Sequence, residues 1–304
     1  MDPLEDVLAL LETRSHLSTS LVAGGQWALR FNAPSGVKFN VVRRGACHLQ
    51  VEGADEPVAL SQGDCYLLTR PRRFTLSSGP EAEPIEAGPV FARAESGVAR
   101  TGDGDDVMLI GGSFSFGARA QELLLDALPP VIHVPAGTRQ ARTVEWALTA
   151  IGDELLHRPL ASTLVAEHLA VVMLVHVLRL HLAREPRAVS GWLAGLADPA
   201  VAAALTAIHD DPARPWTVAE LARSGAVSRS TLAARFKDTI GQGPLEYLRR
   251  WRIELAARQL RQSTTTVAVI AHTVGYGSES ALSVAFKRAM GLSPRDYRRH
   301  LGSV

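Results

Sequence analysis

One pattern is written twice in the last ninety residues, and that repeat limits the possible fold more than any other feature. Ser228-Arg229-Ser230 leads to Phe236-Lys237, and fifty residues later Ser278-Glu279-Ser280 leads to Phe286-Lys287. The same offset relates Gly225 to Gly275, Gly241 to Gly291, Pro244 to Pro294 and Tyr247 to Tyr297. Thr217-Val218-Ala219 returns after forty-nine residues as Thr266-Val267-Ala268. An internal repeat names a structural unit. This one reads as helix, short turn at glycine, second helix, chain reversal and a helix opened by proline.

Side-chain periodicity gives each half the same inside and outside. Val218, Leu221 and Ala222 form the apolar face of a first helix, and Gly225 is expected to supply the permissive turn backbone. Ser228 is placed to cap the second helix by accepting from a first-turn amide. Leu232, Phe236 and Ile240 then recur every four residues as a buried stripe, leaving Ser230, Ala233, Ala234 and Lys237 outside. In the second half Leu282, Phe286 and Met290 face inward, and Ser280, Ser283, Val284 and Lys287 outward. An exposed second helix after a tight turn is a geometry that enters a DNA major groove.

Charge is partitioned accordingly. The chain is almost neutral, with 32 basic and 31 acidic residues, but from Ala213 onward there are 15 basic against 6 acidic. A basic module therefore follows an acidic one, as expected where lysine and arginine meet phosphates.

Residues 213–300 resemble the tandem helix-turn-helix domain of AraC/XylS-type transcription regulators. The resemblance is carried by Trp216 to Ala222, Val227 to Leu232, Pro244 to Arg249, Ile270-Ala271 through Val274-Gly275-Tyr276, Ser278 to Ser280, Ala285 to Arg288, Gly291 to Pro294, and Tyr297-Arg298. It implies recognition helices starting near Ser228 and Ser278, held one DNA turn (~34 Å) apart by a helix from Pro244 to about Leu260. The base-contact candidates are Arg229, Ser230, Ala233 and Ala234 in the first helix, and Glu279, Ser280, Ser283 and Val284 in the second. The alanines and valine would meet thymine methyls, and Glu279 a cytosine amino group. Phosphate candidates are Lys237, Arg249, Arg252, Lys287, Arg288, Arg298 and Arg299.

The whole chain reads as α+β, with a sensor domain at 1–138, a helical linker or dimerisation segment at 139–190 and the DNA-binding domain at 191–304. Residues 1–16 suggest a short amphipathic helix. Short strands are expected at Trp27–Phe31, Lys38–Val42, His48–Val51, Cys65–Leu68, Val107–Ile110 and Val131–Val134, with 77–106 an irregular excursion. This half resembles the cupin-type β-barrel sensor domains that precede such DNA-binding modules, through Val42 to Gly45, Leu49 to Val51, and Gly63-Asp64 entering Cys65 to Leu68. Metal-binding cupins offer several clustered ligands, whereas here His48 stands alone and Arg72-Arg73 follows Pro71. No metal and no cofactor is expected.

The effector or redox candidates are Cys47, Cys65, His48, Arg70, Arg72 and Arg73, each with two readings. Cys47 and Cys65 alternate with apolar residues, as inert buried thiols would, yet Arg43-Arg44 near Cys47 would favour a reactive thiolate. The arginines around Pro71 either clamp an anion or form a solvated edge that discourages strand pairing.

Residues 139–184 have helical period. Val144, Leu148, Ile151, Leu155 and Leu156 are expected on one face, and the next helix spreads Leu164, Leu169, Val172, Met173, Val175 and Leu180 widely enough for burial on two sides. The stretch 184–191 is the expected hinge. The acidic N-terminus does not look like a secretory signal, the apolar run Leu169–Leu178 is too short to span a bilayer, and two cysteines suit a reducing compartment. These features imply a cytoplasmic, non-enzymatic, DNA-binding regulator. Its expected partners are double-stranded DNA, a second copy, RNA polymerase and a small-molecule or oxidant effector. The competing readings are a constitutive DNA binder with a barrel used only for dimerisation, and a cupin enzyme fused to a DNA anchor.

Overall fold

The computed structural model describes residues 3–10, 14–116, 125, 128–137, 142–184 and 191–301. The expected hinge lies mostly outside them. The chain divides into two compact units, residues 13–188 and residues 1–12 with 189–304. The short helix α1 (Pro3–Leu10) therefore belongs with the DNA-binding unit, not with the barrel that follows it in sequence. Leu4 and Val7 explain why: both are buried, and α1 packs on the C-terminal helices.

The first unit is a two-sheet sandwich. Its strands are β1 (Arg14–Leu17), β2 (Ser20–Gly24), β3 (Ala28–Phe31), β4 (Val37–Arg44), β5 (Ala46–Val51) and β6 (Val58–Ser61). They continue with β7 (Cys65–Leu68), β8 (Phe74–Ser77), β9 (Ile85–Glu86), then helix α2 (Ala87–Ala92), β10 (Val98–Gly102), β11 (Val107–Ser115) and β12 (Val131–Val134). One sheet runs β10-β2-β11-β4-β7-β12, with β1 also on β11, and the other runs β6-β5-β8-β3-β9. Between them lies a core that includes Leu21, Leu29, Val42, Leu49, Tyr66, Leu76 and Leu109.

The segment 77–106 is not irregular throughout. It supplies β9, α2 and β10, and β10 pairs in parallel with β2 from Val98↔Ser20 to Gly102↔Gly24. Val98-Ala-Arg-Thr-Gly102 lacks a two-residue apolar alternation, so its strand is set by that neighbour's backbone rather than by its own pattern.

Two helices follow in the same unit, α3 (Arg142–His157) and α4 (Ser162–Arg184). Val144, Ala147, Leu148 and Ile151 are buried as expected, but Leu156 is 71% exposed. In α4, Met173, Leu174, Val177 and Leu178 are buried, whereas Leu164 and Val172 are exposed. Among the described residues, the chain thus covers one side of this broad apolar helix. Ser162–His181 is long and apolar enough to cross a membrane by length and composition, contrary to the expectation from the shorter run Leu169–Leu178. Its inner face is instead used as core, on α3 and β1, where Ser15 Oγ donates to the Glu167 carbonyl at 2.6 Å.

The second unit continues with α5 (Gly191–Ala197), α6 (Pro199–Asp210), α7 (Val218–Ser224), α8 (Arg229–Ile240), α9 (Pro244–Gln262), α10 (Val267–Thr273), α11 (Glu279–Met290) and α12 (Pro294–Leu301). It is all-helical among the described residues.

Candidate nucleic-acid interface

The two repeats fold as two helix pairs on one long helix. Thr217 and Glu220 form a reciprocal capping box at the start of α7, and Thr266 caps α10. Ser228 Oγ accepts from Thr231 N at 3.1 Å, and Ser278 Oγ from Ala281 N at 3.1 Å, so both second helices start where the hydroxyls predict. Both stop at left-handed glycines, Gly241 (φ 81°) and Gly291 (φ 78°).

The turns differ from the expected alignment. Gly225 has φ −93° and Val274 −94°, while the left-handed positions are Ala226 (φ 52°) and Gly275 (φ 88°). The offset is thus still forty-nine at the turn. Val227 N donates to Ala222 O, and Tyr276 N to Ala271 O, in equivalent positions. Gly277 is the extra residue that makes the offset fifty at the serines. Gly225 is required for a different reason: a Cβ there would lie 2.7 Å from the Ala200 carbonyl oxygen.

Helix α9 joins the halves. Tyr247, Leu248 and Trp251 are buried in the first, while Ile253, Ala256, Ala257 and Leu260 belong to the second core with Ile270, Leu282 and Phe286. Its nineteen residues give a rod of about 28 Å at ~1.5 Å per residue. The repeat also preserves an aromatic joint. Phe236 meets Tyr247 edge-on at 5.8 Å, and Phe286 meets Tyr297 at 5.3 Å.

With Leu232 and Phe236 buried, the outer side of α8 presents exposed Arg229, Ser230, Ala234 and Lys237, with Ala233 half-buried. On α11, Ser280 and Lys287 are exposed, Ser283 is half-buried, and Val284 is 73% exposed. Glu279 is engaged by Arg295 at 2.8 Å, so its carboxylate already has a cationic partner. Arg295 was not among the candidates from sequence, because nothing local shows that the first turn of α12 reaches the first turn of α11.

The phosphate candidates separate by what their guanidinium groups touch. Arg249 and Arg288 are exposed, and Arg299 is exposed while bonding Asp296 at 2.9 Å. Arg252 does not belong with them. It donates to the carbonyls of Pro212 (2.7 Å), Gly275 (3.0 Å), Ala213 (3.2 Å) and Arg214 (2.8 Å), tying the entry to α7 to the second turn. Arg298 likewise turns inward to the Thr265 carbonyl at 2.5 Å. Outside the repeat, Arg214 stacks on Trp216 at 4.1 Å and pairs with Glu220 at 3.0 Å. Hydrogen bonds from Thr217 and Arg214 pull the Glu220 carboxyl down to about 2.

In the sandwich unit the effector candidates do not converge. Cys47 and Cys65 are buried free thiols, each pushed up to about 12 by burial and then by Asp64. A protonated, enclosed thiol is a poor nucleophile, as in the inert reading of these cysteines rather than the reactive one. His48 is half-buried on β5. Arg70 donates to the Leu125 and Leu128 carbonyls, Arg72 to the Glu52 carbonyl at 3.3 Å, and Arg73 is exposed. Arg70 and Arg72 thus hold neighbouring chain segments. The group sequence reading missed is Asp64. Buried, it accepts from Ser61 N, Ala136 N and His133 Nε2 at 2.8–3.1 Å and so fixes the turn into β7.

A β-sandwich joined in one chain to paired helix-turn-helix units defines a DNA-binding regulator with an attached cupin domain. A cupin family model matches residues 2–183, and a helix-turn-helix domain model matches residues 221–300. The chain is 74% identical over 300 residues to an AraC-like transcription regulator of Streptomyces lividans, covering 99% of both chains. It is 28% identical to the HTH-type transcriptional regulator AlkR of Acinetobacter baylyi, across 97% of this chain and 99% of that one. Among solved structures, the DNA-binding domain of AdpA in complex with a target DNA is 32% identical (TM-score 0.32), covering 34% of this chain and 92% of that one. This protein belongs to the AraC-like family of transcription regulators.

Proposed function

We propose that α8 and α11 read two sub-sites in successive major grooves, with Arg229, Ser230, Ala233 and Ala234 at one and Ser280, Ser283 and Val284 at the other. The observation that carries this reading is the matched pair of serine-capped helices presenting polar and small apolar side chains away from their cores. Lys237, Arg249, Lys287, Arg288 and Arg299 supply phosphate contacts, and the Glu279–Arg295 pair presents its arginine to the backbone.

The sandwich unit acts as the sensor, answering a small molecule in the cytoplasm. Two copies associate through the exposed apolar side chains of the helical pair, Trp146 (58%), Leu156, Leu164, Val165 and Val172, with Leu160 fully exposed between the helices. RNA polymerase is the partner through which such a regulator acts on transcription.

Selection of sheared genomic DNA on the purified full chain, followed by sequencing, tests the first part. Recovery of sites with two conserved blocks one helical turn apart supports it, and enrichment of a single block contradicts it. Repeating the selection with a metabolite panel tests the second part. Identical binding under every condition would favour a constitutive DNA binder.

A further inference from the structure

The two halves of the repeat reverse their charge at one place. At an offset of fifty residues, Glu279 in the first turn of α11 stands where α8 has Arg229, and Arg295 in the first turn of α12 stands where α9 has Leu245. The register is anchored by the capping serines Ser228 and Ser278, the left-handed Gly241 and Gly291, and the buried Pro244 and Pro294. The first half thus carries a cation on its recognition helix and an apolar residue on the helix that follows. The second half carries an anion on its recognition helix and brings its cation from α12, with Arg295 donating to Glu279 at 2.8 Å. One guanidinium therefore stands at the start of each recognition helix, delivered by different elements.

The Glu279–Arg295 pair does little for the fold. The Arg295 side chain is 75% exposed and that of Glu279 36%, and ion pairs so open to water add little stability. Its geometry is nonetheless prepared. Ser293 Oγ accepts from the Asp296 amide at 3.2 Å and donates to the Asp296 carboxylate at 2.6 Å, which fixes the first turn of α12. Gly243, the counterpart of Ser293 before α9, offers no side-chain cap. Tyr297 holds the same helix edge-on to Phe286 of α11. Arg295 has a long stem with many rotamers, and a guanidinium already held by a carboxylate loses less freedom when it meets DNA. A carboxylate placed beside phosphates without such a cation would oppose binding.

We propose that Glu279 is a positioning residue that holds Arg295 on a DNA phosphate of the second sub-site, in the place that Arg229 takes at the first. The inference rests on α8 and α11 reading two sub-sites and adds the residue pair that completes the second. The repeat keeps the guanidinium and changes the helix that supplies it.

Binding isotherms at several salt concentrations test the proposal on variants of the full chain, using the selected operator and a random-sequence duplex of the same length. Arg295→Ala should weaken binding about three- to tenfold and reduce the salt slope by about one unit. Glu279→Ala should also weaken it, by about threefold, although it removes a negative charge from a surface that faces phosphates. In the Arg295→Ala background the same substitution should instead strengthen binding, because the carboxylate then has no cation to hold and only repels. Glu279→Arg combined with Arg295→Leu copies the first half and should restore most of the affinity and the slope. Thermal midpoints should stay within about 3 °C of the unmodified chain, since both side chains are exposed. Should an alanine variant lose its midpoint, Glu279→Gln and Arg295→Met take its place in the same cycle. Stronger or unchanged binding by Glu279→Ala in the otherwise unmodified chain overturns the proposal, as does an Arg295→Ala variant that binds undiminished. Loss of a cytosine preference at one operator position overturns it in favour of direct base reading by Glu279. A selection that recovers no two-block site overturns the sub-site reading, and the cycle on the random duplex still judges the Arg295 contact.

Discussion

Asp6 and His209 are 203 residues apart in sequence and 2.9 Å apart in the structure. The imidazole is enclosed, with Nδ1 on the Asp6 carboxylate, Nε2 on the Tyr247 hydroxyl at 2.8 Å, and the Trp251 ring 4.1 Å away. A segment that precedes the sandwich thus completes the core of the DNA-binding unit. Asp6→Ala leaves a buried imidazole nitrogen unpaired and should cost that unit ~1–3 kcal/mol, measured by urea unfolding followed through tryptophan fluorescence.

The same site sets a pH dependence. Burial lowers the His209 pKa below its usual 6.5, with Asp6 opposing the shift. Because the folded value is the lower one, the unfolded chain takes up the proton first as pH falls. Stability of the second unit should be fully present above about pH 6.5 and decline below it, and Asp6→Asn should steepen the decline. Melting temperatures between pH 5 and 8 would show this. A flat profile would place the titrating imidazole elsewhere.

The two turns predict opposite effects from neighbouring substitutions. Ala226 holds φ 52°, a conformation that costs an alanine ~1 kcal/mol, so Ala226→Gly should be neutral to stabilising. Gly225→Ala should destabilise by ~1–3 kcal/mol, because its Cβ would press on the Ala200 backbone at 2.7 Å. Thermal unfolding of the two variants in the full chain compares them directly.

Two arginines three residues apart on α9 should separate fold from binding. Arg252→Met removes the donor that four carbonyls share and should lower stability by ~2 kcal/mol or more. Arg249→Ala should leave stability within about 0.5 kcal/mol and reduce the salt dependence of DNA binding by about one unit of slope. Denaturation curves and binding isotherms at several salt concentrations distinguish the two.

Val284 tests the base-reading face. At 73% exposure it carries little of the fold, so Val284→Ser should leave stability nearly unchanged. It should cost ~1 kcal/mol of preference for thymine at a single operator position, visible in a selection repeated with the variant.

How far the sequence reached depends on the range of the interactions. Helix period, serine caps, terminal glycines and the Phe–Tyr spacing are local, and each halves' inside and outside could be read from them because a helix repeats its own geometry every few residues. They were sufficient for the α+β class, the paired helix-turn-helix units and the strands with clear alternation, such as His48–Val51. Tertiary structure alone decided what distant segments share. It placed α1 with the second unit, turned Arg252 and Arg298 onto carbonyls, matched Glu279 with Arg295, and closed Cys47 between the two sheets. It also made a strand of Val98–Gly102. The reason is physical: a charged or polar side chain can satisfy itself with any donor, acceptor or water within reach, so its partner is fixed only when packing removes the alternatives.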